Sequence, residues 1–170
     1  AIVDGDLEAA SLSAAQSALL EKDILVLSLV EKRPSFFQRE IVIRPTMRQI
    51  ENVFQMCRDA GRISTDLEVI NHQVSCFSVC CDSRYIVVVP LTDEGYGHYW
   101  SATDEARIWE LYADIMGDPA IEKINQNLIG FDVPFLFTQN SIRTRGRLSD
   151  TMIAQRLIYP EFPSGLHYIA

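Results

Sequence analysis

Positive charge is scarce in this chain, with 15 lysines and arginines against 23 aspartates and glutamates over 170 residues and a formal net charge of −8. That balance argues against a module that grips nucleic acid along a basic face by counterion release alone. Long apolar runs are missing as well. The longest, ILVLSLV from Ile24 and YIVVVP from Tyr85, are far shorter than the roughly 20 residues needed to cross a bilayer. The mean hydropathy of +0.04 agrees. Asp4, Asp6 and Glu8 make the amino terminus acidic where a secretory signal would be basic. A soluble, cytoplasmic protein with no membrane partner is expected.

Cysteine is sparse and poorly spaced for zinc. Cys57, Cys76, Cys80 and Cys81 contain no Cys-x-x-Cys pair, and an even number without secretory context does not imply disulfides, so reduced, buried thiols are expected. His72, His98 and His167 are scattered, and His72 reads as part of a surface turn. At 48% hydrophobic residues the chain has enough apolar surface for one real core.

Residues 1 to about 40 read as a connector or the tail of an upstream domain. LEAASLSAAQSALLEKD favours helix by composition but lacks a defined apolar face. REIVIRPT then reads as a short strand ending at Pro45. Thr46 with Gln49 makes a capping box for a helix that buries Ile50, Val53, Phe54 and Cys57 and stops at Gly61. A three-strand meander from Ile63 turns at Asn71 and at Asp82-Ser83, and Thr92–Tyr99 reads as an exposed, aromatic loop suited to stacking on bases or on neighbouring loops. A second helix from Ser101 or Thr103 buries Ile108, Leu111, Tyr112 and Ile115. A strand from Ile124 to Ile129, a helix from Asp132, a loop through Arg147 and a last helix from Asp150 complete the series.

Two acidic segments stand out, ISTDLEVI from Ile63 and NLIGFDVPFLF from Asn127. In the first, Ile63, Thr65, Leu67 and Val69 alternate with Ser64, Asp66, Glu68 and Ile70, so Asp66 and Glu68 point the same way. Their Cα atoms lie roughly 7 Å apart, within reach of one hard cation. For the pair taken alone, an exposed strand face is the simpler account. In the second segment, Gly130 permits a close turn, Pro134 suits the first turn of a helix, and Asp132 sits at the strand-to-helix junction, where it either caps the helix or joins the first two acids. Arg143, Arg145 and Arg147 form the densest basic cluster, suited to phosphates or simply to solvent.

Together these segments resemble the first two motifs of the DEDD (DnaQ-like) 3′-5′ exonucleases, above all the proofreading domain of phage-type family A DNA polymerases. Asp66 and Glu68 match the Asp-x-Glu of the opening strand, which VSCFSVCC and YIVVVP follow as two further strands. Gln126, Asn127, Phe131 and Asp132 match the second motif, and DTMIAQRLIYPEFPSGL from Asp150 resembles the helix and loop that come next. The resemblance covers about residues 41–170. It implies an α/β, ribonuclease H-like fold: a mixed sheet with three antiparallel strands, then alternating helices and strands.

The same resemblance implies hydrolysis at the 3′ end of single-stranded or frayed DNA with two Mg²⁺ or Mn²⁺ ions. Asp66 would be shared by both ions, Glu68 would bind the first and orient water, and Asp132 would hold the second. Leu67, Gln126, Asn127 and Phe131 would contact the terminal nucleotide, and a polymerase domain would lie C-terminal in the parent chain, in host cytoplasm if phage-encoded. Asp150 is expected to cap a helix near the site. The family's third motif, Tyr-x-x-x-Asp or His-x-x-x-x-Asp, has no counterpart in GLHYIA, where no Asp follows His167 and Tyr168. With Ala1 in place of an initiator methionine, that gap fits an exonuclease domain truncated before its fourth carboxylate, whose isolated form would hold metal weakly and cleave little. A degenerate module that only supports a polymerase, and an RNA-processing enzyme of the same class, are the alternatives.

Overall fold

The computed structural model describes residues 39–169, together with Ala18, Leu19 and Lys22. The chain divides into two compact units, 1–38 and 39–170, and the fold below belongs to the second. The helix-prone connector expected over residues 1–40 lies almost wholly outside the described residues.

Six strands form one sheet: β1 (Glu40–Val42), β2 (Arg62–Ile70), β3 (Gln73–Cys80), β4 (Tyr85–Pro90), β5 (Glu122–Asn125) and β6 (Leu148–Asp150). Their spatial order is β1-β4-β3-β2-β5-β6. β2, β3 and β4 make the expected antiparallel meander, while β5 lies parallel to β2, β6 parallel to β5 and β1 parallel to β4. Only β3 therefore runs against the other described strands.

Helix α1 (Met47–Ala60) follows its sequence signals closely. The Thr46 hydroxyl accepts from the Gln49 N–H, the Gln49 side chain accepts from the Thr46 N–H, and Gly61 ends the helix at φ 64°, a left-handed conformation that costs glycine nothing. Helix α2 (Ala102–Gly117) starts from a Ser101 cap. Their buried faces, Ile50, Val53, Phe54 and Cys57 with Ile108, Leu111, Tyr112, Ile115 and Met116, share one core with Ile63, Leu67, Phe77, Val79, Val87 and Val89 of the meander. Tyr112 is its hub. Its ring lies 4.6 Å from that of Phe77 and meets Phe54 edge-on at 6.2 Å.

Between Asn71 and His72, at φ 51° and 64°, the β2–β3 hairpin turns as expected, because two consecutive left-handed residues match the twist of the strands. The strand expected from Ile124 to Ile129 is displaced. It ends at Asn125 rather than Ile129, and Leu128–Asp132 instead form one wide π-helical turn leading into α3 (Val133–Asn140). Leu128 is buried because this turn folds it inward; its apolar character looked like strand patterning in the sequence. β6 was not foreseen, since three residues are too few to display a period of two. α4 (Thr151–Ile158) follows it, and α5 (Leu166–Ile169) closes the described chain.

The start of β5 is secured by a buried cation. Lys123 is fully enclosed, and its Nζ donates to the carbonyls of Ile121 (2.8 Å), Arg145 (2.7 Å) and Asp118. All three ammonium donors are matched, tying the turn before β5 to the loop before β6. Replacing Lys123 with methionine keeps the stem and removes the donors. It is expected to lower the free energy of unfolding by about 2 kcal/mol, read as a lower urea midpoint at unchanged slope.

Candidate active site

The alternation of β2 has the predicted outcome: Ile63, Thr65 and Leu67 enter the core, and Asp66 and Glu68 are exposed on the opposite face. Across the hairpin, Asp66 stands opposite Ser78 and Glu68 opposite Cys76, with a bulge between Glu68 and Val69. β5 pairs with β2 only from Arg62 to Ser64. Beyond that point the two strands no longer exchange main-chain bonds, and the carboxyl-terminal end of β5 opens beside Asp66.

Asp132 enters this opening from the π-helical turn. Its side chain is 2% exposed, and it does not cap α3, so the capping alternative is set aside. Its Oδ1 is buried without a hydrogen-bond partner among the described residues. Burial, and after it the negative charge of Asp66, push its pKa up to about 7. Its own backbone N–H, the N–H of Leu67 and the Asn125 amide lie near enough to pull the other way, but they do not satisfy Oδ1. Asn125, at the end of β5, donates from Nδ2 to Asp66 Oδ1 at 3.0 Å.

Asp66, Asp132 and Asn125 are thus brought together, with Glu68 two residues along on the face of Asp66. Among the described residues no three Asp, Glu, His or Cys side chains are gathered closely enough to cage an ion. The donor set nevertheless suits a hard divalent cation. A buried carboxylate oxygen without a partner, facing a second carboxylate, is a pair of oxygen ligands whose repulsion a cation would relieve. Beneath it, the Tyr112 hydroxyl is 3.0 Å from Thr65 Oγ1. Burial raises the Tyr112 pKa, the Thr65 hydrogen bond lowers it, and the charges of Asp132 and Asp66 add to the rise. Tyr112 therefore remains a neutral phenol within the core.

The other predicted residues take varied places. Leu67 is turned into the core at 5% exposure, so what it offers the site is its main-chain N–H. Gln126 donates from Nε2 to the Ser164 carbonyl at 2.7 Å, and its Oε1 is buried without a partner among the described residues. Asn127 is left-handed at φ 57°, and a Cβ on Gly130 would collide with its Oδ1, which is the close approach expected of that glycine. The Phe131 ring is 40% exposed and stacks on Phe135 at 5.6 Å and 29°.

Asp150 is the cap foreseen, accepting from the N–H groups of Met152 (2.9 Å) and Ile153 (3.3 Å). It also accepts from the N–H groups of Asn127 and Ile129, each at 3.0 Å, so one buried carboxylate joins α4 to the turn that delivers Asp132. The arginine cluster lies elsewhere. It leads into the start of β6, whereas the acids gather where β5 and β6 end. Arg147 is paired with Glu122 at 3.1 Å, and Arg143 lies over the Phe137 ring at 5.8 Å.

Asn125 and Tyr112 were missed in sequence. An asparagine closing an apolar strand, and a tyrosine among the aliphatic residues of a core helix face, were the available signals.

No protein-family profile matches the chain, and no curated protein matches its sequence. Solved structures do match by fold. RNase D of Trypanosoma brucei aligns at TM-score 0.51 and 14% identity over 66% of this chain and 39% of that one. A structure described as the apo form of a nuclease aligns at 0.52 and 18% over 74% and 56%. The EXD2 exonuclease domain, soaked in Mn and GMP, aligns at 0.48 and 19% over 74% and 64%. The chain thus spans from 39% to 64% of the length of these neighbours. The first two alignments and the strand order make the fold ribonuclease H-like, as expected. No helix among the described residues is long and apolar enough to cross a membrane.

The buried acid has a measurable signature. Unfolded, Asp132 loses its proton near 3.8; folded, it keeps it to about 7, so between these values the native state binds more protons than the unfolded one. Stability from this group is therefore fully present below pH 4 and is lost as pH rises through 7. Without metal, Asp132→Asn is expected to melt about 3 °C or more above wild type at pH 8, with little difference at pH 4. Coincident melting curves at pH 8 would refute the raised pKa.

Proposed function

We propose that this chain is the 3′-5′ exonuclease domain of a DNA polymerase, removing terminal nucleotides from an unpaired 3′ end. The observation that carries the proposal is the buried Asp132 carboxylate, lacking a partner for one oxygen and set against Asp66 at the carboxyl-terminal end of parallel strands, where sheets of this kind receive ligands. Asp66, Glu68 and Asp132 would hold Mg²⁺ or Mn²⁺. Bound there, such ions supply a water activated at neutral pH and positive charge for the phosphate and leaving oxygen.

The chain's own residues set the rest of the site. Asp66 and Asp132 provide oxygen ligands whose mutual repulsion a cation would relieve, Asp132 giving up its proton as the cation binds. The Leu67 N–H lies near Asp132, and the exposed Phe131 ring offers a stacking face for a terminal base. Water adds to phosphorus, the bond from phosphorus to the 3′ oxygen of the preceding nucleotide breaks, and that oxygen takes up a proton. The products are a nucleoside 5′-monophosphate and a strand shorter by one unit. The net charge of −8 fits a site that holds only a few terminal nucleotides, with further backbone contacts made by other parts of a polymerase.

Asp66→Ala and Asp132→Ala are expected to lower metal-dependent 3′-5′ degradation by more than about 100-fold while leaving the fold intact, measured on a labelled single strand in the longest polypeptide that contains this sequence. A variant that degrades a 3′ overhang at the wild-type rate would remove these residues from the mechanism. An RNA-processing enzyme would carry the same carboxylates, so parallel DNA and RNA substrates decide between them. For a proofreading domain, a mismatched primer terminus should be shortened faster than a paired one, because fraying is cheapest there. Equal rates would point to a general nuclease.

A further inference from the structure

We infer that Asn125 is a positioning residue that holds the Asp66 carboxylate toward Asp132 and thereby sets the affinity of the acidic pair for a divalent cation. This rests on the functional reading above and adds to it a residue that neither acidic motif contains.

The reason lies in how β2 and β5 part. Their ladder closes at Ser64 and Ile124, one residue before Asn125 and two before Asp66. Across the gap that follows, the bond from Asn125 Nδ2 to Asp66 Oδ1, between residues 59 positions apart, joins the two strands. Asp66 is exposed on its strand, so without this donor its carboxylate is free to turn toward water. Asparagine suits the position chemically. Its amide donates to a carboxylate without neutralising it, whereas lysine or arginine would compete with the cation and aspartate would repel Asp66. Asn125 also lies beside Asp132, so one neutral side chain touches the surroundings of both acids. Its anchorage is rigid: β5 is flanked by β2 and β6, with Asn125 in register with Asp150, and its second residue is the enclosed Lys123. Groups that orient a metal ligand in this way typically change metal affinity by about 10- to 100-fold when removed.

The test is Mn²⁺ binding to the 170-residue chain, followed by electron paramagnetic resonance of the free ion. Wild type, Asn125→Leu, Asn125→Ala and Asp66→Ala are compared, and each is also melted without metal. Asn125→Leu and Asn125→Ala are expected to bind Mn²⁺ about 10-fold or more weakly than wild type, with metal-free melting nearly unchanged. If both bind as wild type does while Asp66→Ala loses the ion, the inference is overturned and the functional reading stands. If wild type binds no Mn²⁺ at millimolar concentration, or Asp66→Ala binds it undiminished, both fall. Should the variants fail to fold, wild type alone decides. The Asn125 side-chain amide resonances should shift during a Mg²⁺ titration with the midpoint of Mg²⁺ binding, and resonances that stay fixed at saturation would overturn the inference.

Discussion

The geometry of the acidic site depends on one buried carboxylate that is not expected to touch a substrate. Asp150 gathers four backbone N–H groups, two from the turn that follows β5 and two from the first turn of α4. Charge-assisted bonds of this kind are among the stronger ones available to a protein. Here they hold a segment with little regular structure of its own. Asn127 in a left-handed conformation, its side chain over Gly130, and a wide helical turn are all unfavourable locally. They persist because their orphan donors end on Asp150, and Asp132 is delivered to its place as a result.

A second constraint opposes the first. Folding places Asp132 next to Asp66 and removes it from water, so the native state carries an electrostatic cost that rises with pH. The surroundings only partly offset it, through the Asn125 amide and the Leu67 N–H. An arginine at this point would have neutralised the pair outright. The nearest dense cluster of arginines instead leads into β6 at the opposite end of the strands, where Arg147 pairs with Glu122. The cost is retained at one end of a well-packed sheet, between two carboxylates whose repulsion a cation would relieve.

The core beneath is conventional by comparison. Two helices, each with one apolar face, cover the meander, and the Tyr112 ring fills their junction. Its hydroxyl meets Thr65, the residue before Asp66. The packing of the core and the placement of the first acid are therefore linked by one hydrogen bond. Fixing Thr65 fixes the pleat of β2, and the pleat decides which way Asp66 points.

Much of this was legible in order along the chain. The Thr46 and Gln49 box, the stop at Gly61, the Ser101 cap, the turn at Asn71 and the shared direction of Asp66 and Glu68 follow from relations between residues two to four apart, which sequence spacing encodes directly. The cap at Asp150 belongs to the same class. The π-helical turn does not. A run such as NLIG is compatible with a strand until the donors of Asn127 and Ile129 find Asp150, more than twenty residues away. Nor was Asn125 visible as part of the site, because its meeting with Asp66 depends on how far β5 stays paired with β2. By itself the sequence determined which faces are apolar and which way the first two acids point, since local periodicity acts over one turn or one pleat. Only the tertiary structure decided that Asp132 would be buried against Asp66 with Asn125 beside it, because that contact spans about sixty residues and is set by strand register.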